Sequence, residues 1–305
     1  MPRQILIVQF THPGGEHSLN KTEKKSGIKE WNYGKHKRKF LKSQGQYVLS
    51  SGELSSKQDL LFWGEWEPTS KVTCLLSMLA TGVMPHYLHE PFLRINGGKL
   101  LLPPFLDSSS RCRQNTDPFV FGDYFLYSCC KQRKKARNSS STCFTRMANL
   151  DKGSIILFGS TISPKQGGPY FVLDTVFVVG DYKPFNTQSC DVDLMGFVPT
   201  DYCDIMGFPN WKNNEQYICY KGATVDNPVD GMYSFVPCKP VSGNVIGHPR
   251  VRLTDSDISI ISNNLNSSPK YTSFILHKDC WSKICNIVKQ QGFEKGINLG
   301  YQYLP

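Results

Sequence analysis

A chain of 305 residues can bury a sizeable core in one large or two modest domains, and 39% hydrophobic with 12% aromatic residues excludes disorder throughout. Its apolar runs, such as 154–158 and 171–179, are strand-length, far below the roughly 20 residues of a membrane helix, and the start lacks a secretory apolar run. No membrane partner and a cytoplasmic location are therefore expected. The net charge of +10 is concentrated: residues 21–40 hold eight basic and two acidic residues, residues 131–137 add five basic ones, and the rest of the chain sums to −1.

Residues 4–10 read as a buried first strand ending at His12-Pro13-Gly14-Gly15-Glu16-His17, where Pro and Gly force a turn. That loop can offer Gly14 and Gly15 N–H groups to an anion, with His12 or His17 as proton carrier. The cationic stretch follows with little periodicity. Its aromatics Trp31 and Tyr33 beside Lys35, Lys37, Arg38 and Lys39 suit a polyanion, since rings stack on bases while cations meet phosphates. Short strands are expected at 47–49 and 60–63. Residues 71–80 are ambiguous, and the Pro and Gly density from 82 to 104 favours extended loops. The second basic run supplies Lys131, Arg133, Lys134, Lys135 and Arg137, and Arg146 after it can clamp a phosphate.

The clearest β signal is a strand from 153 to 159, a turn, and a second strand over 169–179 rich in β-branched and aromatic residues. Residues 181–244 read as irregular, turn-heavy β structure with short strands at 216–220 and 232–236. Trp281, Ile284, Cys285 and Val288 recur at helical spacing, with Asp279 as N-cap and Gly292 as stop, predicting a helix packed on a sheet.

Eleven cysteines without a C-x2-C pair point to small core residues, reduced in the absence of a secretory signal, and to no metal. His86 and His89 form a His-x2-His pair usable for metal in principle. Asp117 lies in an Asn-Thr-Asp-Pro turn able to contribute to a pocket. No nucleotide loop or hydrolase elbow is visible, and no cofactor is expected.

Phe62-Trp63-Gly64-Glu65-Trp66-Glu67-Pro68 places two tryptophans and two carboxylates around a glycine at a strand end, a composition suited to a base: rings as walls, acceptors for its N–H edge. This segment resembles the aromatic and Glu-Pro opening of EVE domains, members of the PUA-like superfamily with the YTH and ASCH domains. The 152–158 and 168–179 strand pair resembles that family's later pair. The Trp-to-Glu-Pro spacing is one residue shorter than the family's, Ser154 replaces its acid, and the interval before the strand pair is expanded. The resemblance covers about a third of the chain and implies a curved β-barrel with flanking helices that binds RNA or DNA, often admitting a modified base.

The expectation is thus an α+β fold, mainly β, with a PUA-like core over 1–180 carrying long basic insertions. Residues 181–305 form an irregular β-rich extension ending in an amphipathic helix. The expected function is a nucleic-acid or nucleotide binding module, with links to nucleic-acid modification or phage defence: Trp63, Trp66, Glu65, Glu67, Asp117 and Arg146 hold the ligand while the basic residues hold the backbone. The alternative is a phosphodiesterase or nuclease using His12 and His17, with Arg38 or Arg146 stabilising charge. A scaffold for an acidic protein partner is the third reading.

Overall fold

The computed structural model of the protein describes residues 3–11, 14–17, 28–29, 37–75, 84–101, 116–136, 141–163, 168–211, 213–243, 247–254, 256–257, 272–275 and 279–305. The fold is α+β and mainly β. Its strands in chain order are β1 (Leu6–Thr11), β2 (Ile28–Lys29), β3 (Lys39–Val48), β4 (Gln58–Gly64), β5 (Ser70–Cys74), β6 (Tyr87–Asn96), β7 (Lys99–Leu101), β8 (Leu126–Tyr127) and β9 (Arg133–Lys135). There follow β10 (Thr142–Phe144), β11 (Ile155–Ile162), β12 (Tyr170–Asn186), β13 (Gln216–Gly222), β14 (Val236–Pro240), β15 (Val251–Leu253), β16 (Thr272–Ile275), β17 (Glu294–Ile297) and β18 (Gln302–Leu304).

They form two large sheets and a β9–β10 hairpin. The first sheet runs β16-β1-β11-β12-β13-β8, with β15 added to β12, and the second runs β17-β14-β4-β3-β6-β5-β2. In the second, β17 also pairs β3, so β3, β4, β14 and β17 close into a ring of four antiparallel strands. Both sheets take strands from either side of residue 180. The two parts of the EVE-like pattern lie in different sheets: the tryptophan segment begins in β4 of the ring, and the later strand pair is β11 and β12 of the first sheet.

The first sheet is covered on both faces, which explains its continuous apolar strands. Along β1, Leu6, Val8 and Phe10 pack with Leu41, Leu60 and Phe62 of the second sheet, whereas Ile7 packs with Ile284, Ile287 and Val288 of the helix Cys280–Gln290. Each such buried aliphatic side chain contributes roughly 1.5–3 kcal/mol. The helix begins after Asp279, without a side-chain cap bond, and ends at Gly292, whose φ of +74° is left-handed.

Three expectations are corrected. Residues 87–96 are a strand instead of an extended loop, and Pro91 is tolerated there because it falls between the part paired to β3 and the part paired to β18. Residues 181–186 continue β12 past a bulge at Gly180, where an added Cβ would lie 2.7 Å from the Ala223 backbone nitrogen. The Cys190 and Cys203 sulfurs are joined as a disulfide, against the expected reduced state, and no second disulfide joins the described cysteines. No helix among the described residues is long and apolar enough to cross a membrane.

Candidate functional site

The sequence Arg250-Val251-Arg252 enters β15, and strand alternation sends Val251 into the core while both arginines share the other face. The register of β15 on β12 sets Arg252 against Val172 and carries on to bring Arg250 beside Asp174. Asp174 is the extra residue of a β-bulge: Thr175 pairs Phe158 and Leu173 pairs Gly159, leaving Asp174 out of the ladder. Such a bulge re-aims a side chain, here into the space between the sheets.

A charged network results. Asp174 lies 2.9 Å from Arg38 Nε and 3.2 Å from Arg250 Nε, and Arg38 Nη1 is 3.5 Å from Glu65. All four side chains are nearly or fully buried. Burial pushes the Arg250 guanidinium down from its usual range, and Asp174 pulls it back up. The Nη2 atoms of both arginines are buried without a hydrogen-bond partner among the described residues, a cost of about 1–3 kcal/mol each that a purely structural core avoids.

On its outer side this network opens onto a cleft of about 580 Å³ lined by Gly14, Gly15, Glu16, Trp63, His86, Tyr170, Arg250 and Arg252, among others. Each arginine is held over an aromatic ring: Arg250 at 4.6 Å from the Trp63 centroid and Arg252 at 3.9 Å from Tyr170. Arg250 Nη1 also donates to the Gly14 carbonyl at 2.6 Å. At the rim, Glu16 accepts backbone N–H bonds from His86 and Tyr87 and lies 2.6 Å from His86 Nδ1. Chemically the cleft offers ordered cations and planar surfaces for an anion carrying a ring.

The expected site residues separate on this frame. Trp63 reaches the cleft although only 6% exposed, its indole N–H donating to the His248 carbonyl. Trp66 does not: it is 0% exposed, wedged against Phe121 and Tyr301 with its N–H on the Thr69 carbonyl. Glu65 and Glu67 are buried beneath it, so the tryptophan segment is core packing with one ring at a cleft instead of an open two-walled notch. Asp117 is buried and accepts N–H bonds from Ser128, Cys129 and Cys130, shaping the turn before Lys131. Burial pushes its carboxyl above the usual range against the lowering effect of those bonds. Arg146 is exposed.

Of the basic residues, Arg38 and Lys39 lie inside the protein, Arg38 in the network and Lys39 donating to the Trp66 carbonyl, so neither belongs to an exposed cationic loop. Lys37 is half-buried, and Lys134 and Lys135 are exposed on β9. Arg133 is engaged locally, 4.7 Å over Phe144 and donating to Thr142 and Gln216. Lys131 is exposed as a residue, its ammonium donating to the Thr11 carbonyl, where partial desolvation pushes its pKa down. Trp31, Tyr33, Lys35, Arg137 and His12 lie outside the described residues.

His17 is buried, its N–H on the Arg38 carbonyl, and does not line the cleft. His86 and His89 do not converge on a metal: His86 meets Glu16, whereas His89 is buried against Ser70. Burial, with Lys39 and His17 nearby, holds the His89 imidazole well below its ordinary pKa.

Arg250, Arg252 and Tyr170 were not expected as ligand groups, and His86 was expected only with His89, not with Glu16. The available signal was the Arg-x-Arg alternation of a half-buried strand. No family model, curated protein or solved structure matches the chain.

Proposed function

We propose that the protein binds a nucleotide, free or as part of a single-stranded nucleic acid, in the cleft between Trp63, Tyr170, Arg250 and Arg252. The observation that carries this reading is the pair of arginines on one strand face, each immobilised on an aromatic ring beside a double-glycine turn. A guanidinium spread over a ring presents a plane to a base and N–H edges to a phosphate. Trp63 and Tyr170 are then platforms for the arginines, and the base meets guanidinium before indole. The exposed lysines of β9 add long-range attraction. A PUA-like ancestry, suggested by the resemblance of residues 62–68 and the 152–179 strand pair, extends the reading to a modified base and to roles in nucleic-acid modification or phage defence.

Calorimetric titration with nucleoside monophosphates, ribose 5-phosphate and inorganic phosphate tests this. Nucleotides should bind more tightly than ribose 5-phosphate, and phosphate weakest. A short single-stranded oligonucleotide should lose affinity as salt rises, because counterions are released. Absence of nucleotide and oligonucleotide binding at low salt, or affinity flat with salt, overturns the reading.

A further inference from the structure

The Glu16–His86 pair is built as an acid–base device. Glu16 is fixed by two backbone N–H groups, from His86 at 2.7 Å and Tyr87 at 2.9 Å, and its second oxygen lies 2.6 Å from His86 Nδ1. A carboxylate so placed holds the proton on Nδ1 and leaves Nε2 with its lone pair. The ring is 35% exposed and lines the same cleft as the two arginines, and no described residue is hydrogen-bonded to Nε2. A histidine held by carboxylate on one nitrogen and open on the other, facing a cationic cleft, is the arrangement that general-base catalysis uses.

Resting on the nucleotide reading above, we infer that His86 is a catalytic general base that cleaves single-stranded RNA bound in this cleft. Among the described residues that line it there is no Ser, Thr or Cys to act as nucleophile, and a ribose 2′-hydroxyl beside its own phosphodiester is a nucleophile of high effective concentration. His86 Nε2 takes the 2′-hydroxyl proton, O2′ bonds to phosphorus and the P–O5′ bond breaks. The departing O5′ takes a proton from water, and the imidazolium returns one to solvent. The products are a 2′,3′-cyclic phosphate and a 5′-hydroxyl, with no co-reactant consumed. Arg250 and Arg252 face the charge that gathers on the phosphoryl oxygens.

The test uses the full chain with two end-labelled single strands of the same sequence, one all-deoxy and one with a single embedded ribonucleotide. Binding of both is measured by anisotropy, and cleavage is measured as kcat and KM. Both strands should bind, and only the second should be cut, at the ribonucleotide, leaving a 2′,3′-cyclic phosphate end. His86→Gln should retain binding and melting temperature while cleaving about 100-fold more slowly or less. Glu16→Gln should lower kcat by about 10-fold with KM unchanged. Strands that bind and stay intact, or a His86→Gln variant cutting at the wild-type rate, overturn the inference and leave the binding reading standing. Failure of both strands to bind overturns the two together.

Discussion

Arg38-Lys39 and Lys134-Lys135 look alike as sequence, each a cationic pair inside a basic run, yet they end in opposite environments. The first pair enters β3 and is buried, with Arg38 1% exposed and bound to Glu65 and Asp174. The second lies exposed on the β9–β10 hairpin. What separates them is the partner supplied from elsewhere. A guanidinium can be buried where carboxylates from β12 and from the segment after β4 converge on it, and nothing in a local charge count registers that convergence.

The widest separation should appear in stability. Arg38→Ala leaves Glu65 buried without its cation and Asp174 with Arg250 alone, and should cost about 3–5 kcal/mol, read by chemical denaturation. Lys134→Ala with Lys135→Ala should leave the denaturation midpoint unchanged, and equal destabilisation of the two would break the comparison. Trp66→Ala, which removes a fully buried indole beside Arg38's carboxylate partner Glu65, should cost about 3–5 kcal/mol, whereas Arg252→Ala at the cleft should melt as the wild type does.

A smaller effect sharpens the view of the interior as a place that refuses extra charge. Burial first, then Lys39 and His17, holds His89 well below 6.5, and burial also lowers His248. Below that ordinary value the unfolded chain binds protons that the folded chain does not. The stability these histidines contribute is therefore complete above about pH 6.5 and is lost progressively as pH falls. Thermal unfolding between about pH 7.5 and about pH 5.5 should show the decline, and His89→Gln should flatten part of it.

The same contrast explains what was readable in the sequence. The first strand, the β11–β12 pair and the C-terminal helix are carried by periodicity within each segment, and all three form as their patterns dictate. β6 escaped because Pro91 masked a strand whose two partners divide around it. The cleft escaped more thoroughly. Its groups come from residues 14–16, 63, 86, 170 and 250–252, and only the β12–β15 register and the Asp174 bulge bring them together. The glycine turn and Trp63 were legible separately as candidates, but their shared cleft was not. The tryptophan segment read as a notch because composition carries no sign that Trp66, beyond the end of β4, is buried against Phe121 and Tyr301.

The most direct test of the central claim, that the ligand is held by the arginine-lined cleft and not by the lysine hairpin, is one affinity comparison. Anisotropy of a labelled single-stranded oligonucleotide would be measured for the wild type, Arg252→Ala and the Lys134→Ala/Lys135→Ala double variant. Loss of a charged contact in the cleft should weaken binding about 10-fold or more for Arg252→Ala, with at most about a 3-fold change, confined to low salt, for the lysine variant. Wild-type affinity in Arg252→Ala together with a collapse in the lysine variant would contradict the account.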